Sequence, residues 1–411
     1  MSKLGRRDTL LLGGAAAAGF VSRAARAEDK ILTIGMSVPL TGALARQSAV
    51  VKTAAQFAVD QANAKGGVAG YQIKLLVLDD GSPTTGQYDP ALSATNARRM
   101  VNDPTAIAAV GPLNSGSAKA MSPIFSQAEM AFISGSATNP DLNDPKFFGL
   151  YHPAGKPNFF RTVTTDAYQG PGMANYFAEV LKVKKVTVLD DTGAYGVGMA
   201  NAFAAQAAKK GMDVIIRDRV DPLNADYSPV LTRAKSLGCD GLYYGGDPLA
   251  GIKVVKQSYD ILPNAPKGGG DGVHTPDMLT GGGVPAINGW YATSAASHVL
   301  DDPQVQSWVK EFTDATKTEP ADYSVTYYDA VEVILDAIRR VAASGQPVTR
   351  DAVRNAMLST KLDLVQGPVS FDEHGDLSST AVSIFQVKYN SAYPMADVIH
   401  QFQYVGPAPT S

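Results

Sequence analysis

The sequence has a single cysteine, Cys239, among 411 residues, which excludes an internal disulfide. Cys239 falls in LGCDGLYYGG, at the start of an apolar run, where a buried structural thiol is expected. Histidine is scarce as well. His152, His274, His298, His374 and His400 are scattered, and none pairs with another at metal-ligand spacing. His374 lies among Asp372, Glu373 and Asp376, but calcium-loop spacing is absent and a solvated turn accounts for the cluster. No metal and no other cofactor is expected. The loop from Gly111 to Gly116 outlines a phosphate loop, yet Ser117 and Ala118 follow where Lys and then Ser or Thr are required. Without that lysine nothing supplies a point charge for terminal phosphates, so nucleotide hydrolysis is disfavoured. The G-x-S-x-G elbow is missing, and Gly193-Ala194-Tyr195-Gly196 does not match the dinucleotide fingerprint. Catalytic groups can converge from distant positions, so one enzymatic alternative stays open: a secreted α/β enzyme using Asp271 or Asp247 as acid or base.

Long hydrophobic runs are confined to the start of the chain. Lys3, Arg6 and Arg7 precede the apolar stretch Leu10 to Val21, which is too short to span a bilayer, and Ala25-Arg26-Ala27 has the form of a cleavage site. Residues 1–27 therefore read as an export signal. Arg6-Arg7 with Leu10-Leu11 is twin-arginine-like, with a general secretory signal as the alternative because Gly5 replaces the usual Ser or Thr. Removing this segment takes away five basic residues and one acid, so the net charge falls from −3 to about −7. A negative protein is a poor partner for nucleic acid or an anionic membrane. Beyond the signal no segment is long and apolar enough to cross a membrane.

What the chain does have is length for two domains and a sustained alternation of short apolar runs with helix-spaced segments. Ile31 to Val38, Ile73 to Leu78, Ala106 to Val110 and Ala131 to Ile133 read as strands, with helices over Ser48 to Ala64, Ala91 to Val101 and Ser117 to Glu129 between them. After the extended link Phe160 to Val163 the alternation restarts, with strands at Val186 to Leu189, Val214 to Arg217 and Gly241 to Tyr244. The helices there are Tyr168 to Leu181, Met199 to Lys210, Tyr227 to Leu237 with Asp226 as N-cap, and Gly251 to Tyr259. Trp290 to Thr293 is a second link, followed by mainly helical sequence. Val369 to Phe371 and Ala381 to Val387 look like closing strands around the turn DEHGDLSS. The pattern predicts an α/β fold of two wound, parallel-type sheets joined by more than one crossing. The two loops GPLNSGS and SGSATN each follow a strand, and in a parallel sheet both would lie at the carboxyl edge, where such sheets bind ligands. Their hydroxyls, and the backbone N–H groups at a helix start, suit a small anion such as a carboxylate.

Taken together, IGMSVPLTGALA, VDQANAKGGVAG, AVGPLNSGSAKAMSPI, FISGSATNPDL, RTVTTDAYQGPGMA, DDTGAYGVGMA, DGLYYGGDP, GGDGV and GPVSFDEHGDL resemble, in order, the type I periplasmic solute-binding proteins of ABC transporters. The similar branch is that of the leucine/isoleucine/valine-binding proteins. The resemblance implies two Rossmann-like lobes with a hinge of three crossings, residues 28–164 with 294–380 forming one and 165–293 with 381–411 the other. It implies no enzymatic activity, a periplasmic monomer, an amino acid or small carboxylate as ligand, and an inner-membrane ABC permease as partner. Aromatic carboxylates, amides or urea, or a sensor role, are the alternatives within the family. Carried over by position, Ser115, Ser136 and Thr138 would hold the ligand carboxylate, Asp271 its ammonium, and Tyr195 and Tyr323 its body. Asn114 and Gly272, beside Ser115 and Asp271, are counted with them. Asp247 and Gln47 depart from the family: Asp247 stands where relatives often carry an aromatic or other polar residue, Gln47 where an aromatic wall is common, and both make one side of the site more polar.

Overall fold

The structure, a computed structural model, describes residues 30–410, so the export signal lies outside the described residues. Five strands make a first sheet: β1 (Lys30–Val38), β2 (Tyr71–Asp79), β3 (Ala106–Val110), β4 (Ala131–Ser134) and β5 (Phe159–Arg161). All pair in parallel, in the order β2-β1-β3-β4-β5. β3 and β4 are buried throughout, as expected of strands covered on both faces. Helices Ala45–Ala64 and Asp322–Ala343 cover one face, and Pro90–Val101 and Ser115–Gln127 the other. The long helix Asp322–Ala343 buries Val331, Ile334, Leu335, Ile338 and Val341, a stripe at three- and four-residue spacing that fixes its rotation on the sheet.

A second sheet repeats the plan with β6 (Lys185–Asp190), β7 (Asp213–Arg219), β8 (Gly241–Gly245), β9 (Lys267–Gly269) and β10 (Tyr291–Ser294). The chain then returns to the first body, where β11 (Lys361–Leu364) and β12 (Gly367–Ser370) form a small hairpin. Finally β13 (Ser383–Val387) and β14 (Phe402–Pro407) extend the second sheet antiparallel to β10 and to each other, giving β14-β13-β10-β9-β8-β6-β7. The chain thus crosses between the bodies three times, after β5, β10 and β12. Each sheet reverses its winding once, between β1 and β3 and between β6 and β8. Open sheets bind ligands outside the carboxyl ends at such reversals.

Several sequence expectations are corrected. The segments 369–371 and 381–387 do not close on each other: the first belongs to the β11–β12 hairpin and the second to the other sheet. The helix Pro276–Gly282 and the strand β14 have no counterpart in the expected pattern. The helix expected from Tyr227 starts at Ser228 with Tyr227 at its N-cap, and Asp226 accepts the Ser228 backbone N–H at 2.8 Å from one position further out. Cys239 is only partly buried, and its Sγ contacts the Gly241 carbonyl at 3.0 Å. Other helices begin ahead of the periodic signal, among them those at Ser115, Ala194 and Pro248. That shift places Ser115, Tyr195 and Asp247 at a helix N-terminus.

Candidate ligand-binding cleft

The two reversal points face each other across one cavity. Its walls carry Leu44 and Gln47 from after β1, Leu113, Asn114 and Ser115 from after β3, and Ser136 from after β4. The other body contributes Tyr195 from after β6, Asp247 from after β8, and Asp271, Gly272 and Thr275 from after β9; Tyr323, on the long helix, completes the wall. Of the residues expected from the sequence, all but Thr138 are brought to this cavity. Thr138 lies in the same loop as Ser136 but is wholly buried, and its hydroxyl has no hydrogen-bond partner among the described residues. The cavity encloses about 30 Å³, room for a water or two, because the bodies already touch across it.

The first body presents a helix N-terminus. The helix Ser115–Gln127 has Asn114 at its N-cap, yet Asn114 makes no side-chain cap bond, leaving the first-turn N–H groups open. Ser115 Oγ accepts the Asn139 N–H at 3.2 Å and keeps its own proton to donate. The Ser136 hydroxyl is engaged in its own wall, donating to the Leu113 carbonyl at 2.8 Å and meeting the Tyr327 hydroxyl at 2.8 Å. This side suits a carboxylate through dipole, N–H groups and hydroxyl together.

The second body presents carboxyl groups. Asp271 accepts from the Tyr195 hydroxyl at 2.7 Å and from Gln169 Nε2 at 2.9 Å, and the Tyr323 hydroxyl reaches it from the first body. These three donors favour its charged form against burial, which raises its pKa, and an acceptor position remains for a further donor. Burial, with the charge on Asp271 next in weight, pushes Asp166 up to about 8, which keeps Asp166 protonated at pH 7. Gly272 must be glycine: its N–H donates to the Tyr195 hydroxyl at 3.0 Å, and a Cβ there would meet the Gly246 carbonyl oxygen at 2.3 Å. Asp247 is the N-cap of the helix Pro248–Ile261 but, like Asn114, makes no cap bond. Asn114 Nδ2 donates to it across the cavity at 3.2 Å. Behind it, Asp191 accepts the Asp247 N–H at 2.7 Å and the Gly193 N–H at 3.0 Å. Burial first, then the neighbouring Asp191 and Asp271, raise the Asp247 pKa well above the usual carboxylate range.

Sequence reasoning missed Gln169, Asp166 and Asp191. Gln169 falls inside the helix expected from Tyr168 and Asp166 just ahead of it, neither with a local signal of a site, and Asp191 reads as the turn after a strand. The one available signal was the acid pair Asp190-Asp191 at a strand's carboxyl end.

The sequence model described as periplasmic binding protein matches residues 31–394. A Leu/Ile/Val-binding protein of Rhizobium johnstonii is 32% identical over 86% of this chain and 91% of its own length. A Leu/Ile/Val-binding protein homolog of Brucella melitensis is 32% identical over 90% and 94%. Among solved structures, a leucine-binding protein of Thermotoga maritima superposes with a TM-score of 0.78 at 23% identity, covering 92% of this chain and 98% of that one. A solute-binding protein of R. palustris, solved with benzoate, superposes at 0.73 and 19% identity over 92% and 96%. These two establish the fold.

Proposed function

This chain belongs to the periplasmic binding protein family, and from that premise we propose that it captures one free α-amino acid between its lobes for an ABC permease of the inner membrane. The observation that carries the reading is the division of labour across the cavity. An uncapped helix N-terminus with Ser115 stands on one side and Asp271 on the other. A zwitterion has one charge for each, and neither body alone satisfies both ends. The lobes separate to admit the ligand, which then favours closure by its differential affinity for the closed form. The lobes that move are residues 28–164 with 294–380 and 165–293 with 381–411; each has its own hydrophobic cores, which supports treating them as separate bodies. Ser115 and backbone N–H groups hold the carboxylate, with Ser136 and Thr138 shaping the neighbouring loop after β4. Tyr195 and Tyr323 orient Asp271 and wall the ligand body. The protein works as a monomer after export by its N-terminal signal, and among the described residues no helix is long and apolar enough to cross a membrane.

The test is a thermal-shift and calorimetry panel of α-amino acids beside benzoate and simple amides. An amino acid at a thousand times its Kd adds about 4 kcal/mol of stability. Stabilisation by benzoate and by no α-amino acid would remove the ammonium role of Asp271 and the reading with it.

A further inference from the structure

Resting on the amino-acid reading above, we infer that the cleft selects α-amino acids whose side chain ends in a cation, an ammonium or guanidinium, through a second recognition group made of Asp247, Asn114 and Gln47. The first observation is directional. Asp is among the best N-cap residues, and Asp247 stands at an N-cap, yet its carboxylate gives up that bond. Asn114 does the same at the N-cap of the facing helix. The two side chains instead meet at 3.2 Å over the cavity. Asn114 Nδ2 is the one side-chain donor to the Asp247 carboxylate among the described residues, so most of its acceptor capacity is unused.

The second observation is of unpartnered acceptors beside it. Asn114 Oδ1 is buried with no hydrogen-bond partner among the described residues. Gln47 is only 4% exposed, lines the same cavity, and its side-chain amide makes no hydrogen bond to the described residues. A buried polar group without a partner is costly unless something else satisfies it. Here the unmet positions include a carboxylate and an amide oxygen, which ask for several N–H donors at once.

The third observation is the charge balance. Asp247 and Asp271 both line the cavity with Asp191 directly behind, and no lysine or arginine is among the lining residues. One ammonium on the ligand answers Asp271 and leaves Asp247 with no cation of its own. Burial and the neighbouring acids hold Asp247 toward its protonated form, and a branched aliphatic side chain would leave it there with its oxygens sealed against hydrocarbon, which is unfavourable. A cationic head would answer it, take the place of the single Asn114 bond and donate to the acceptors alongside. Leu44 and Leu113 offer apolar surface for the methylene stem of such a side chain.

The experiment is calorimetric binding of arginine, lysine and ornithine, beside leucine and its straight-chain isomer norleucine, to the unmodified protein and to Asp247→Asn. The expected result is a preference for the basic amino acids of roughly 30-fold or more, the size of one charge-assisted hydrogen bond. Asp247→Asn then loses most of that preference, while its melting temperature shows that it folds. Leucine binding as tightly as arginine to the unmodified protein overturns the inference and leaves the amino-acid reading standing. Binding of no α-amino acid overturns both. The ranking on the unmodified protein decides the matter even where the variant does not fold.

Discussion

Replacing Asp271 by asparagine separates affinity from stability in a way that few site substitutions do. The carboxylate is buried and held by Tyr195, Gln169 and Tyr323. Asparagine keeps an oxygen acceptor for Tyr195 and Gln169, and its amide can donate to the Tyr323 hydroxyl, so the local network survives with one bond reversed. What vanishes is the negative charge. Facing a ligand ammonium in a closed cleft, a charge-assisted hydrogen bond contributes about 1.5–3 kcal/mol, and removing one partner of a buried pair costs about 3–5 kcal/mol. The affinity for an α-amino acid should therefore fall by roughly 100-fold or more. Without ligand the sign reverses. Burial raises the Asp271 pKa, so the charged carboxylate is a liability to the fold, and the Asp271→Asn variant should unfold at the same temperature or higher. Calorimetry gives the affinity and a melt without ligand gives the stability. A third measurement fixes the cause: the analogue of the best ligand that lacks only its α-amino group, and so has no α-ammonium, should bind both proteins within about threefold of each other. Unchanged amino-acid affinity, or an equal loss for the des-amino analogue, would refute the role of Asp271 as the ammonium partner.

Three further predictions rest on other parts of the site. Ser115→Ala removes a hydroxyl donor at the helix start and should weaken ligand binding by about 1 kcal/mol, roughly fivefold; adding Thr138→Ala should weaken it further, and unchanged calorimetric affinity in the double variant would remove the carboxylate role from these two loops. Gly272→Ala drives a Cβ to within 2.3 Å of the Gly246 carbonyl oxygen, so two loops must separate, at a cost of about 1–3 kcal/mol measurable by urea unfolding; unchanged stability would show that this close approach is not fixed. Asp166 has its pKa raised to about 8, so the folded state holds a proton that the unfolded chain releases near pH 4. Its contribution is fully present below the unfolded value and is lost as pH rises from about 4 to about 8, at up to about 1.4 kcal/mol per pH unit. Asp166→Asn, which cannot ionise, should gain stability relative to the parent as pH rises through that window in parallel urea melts at about pH 5 and about pH 8; a difference independent of pH would mean that Asp166 is not buried as a neutral acid.

The parts of this protein that were legible in its sequence are those that local chemistry dictates. Buried parallel strands must be apolar, so β3 and β4 announce themselves, and the placing of the hydroxyl-rich loops after them follows from the topology. The site was harder because its groups carry local signals for other roles. Asn114 and Asp247 have the composition of helix caps, yet both forgo the cap and meet across the cavity, 133 positions apart in the chain. Gln169 and Asp166 were invisible for the same reason: what makes them part of the site is Asp271, more than a hundred positions away. Periodicity reports which face of an element is buried, whereas the charge balance of a cleft is a property of two bodies brought together. In the site we propose, the residues assigned to choosing the ligand are those whose local preference the fold overrides, and Asp247 is the clearest of them.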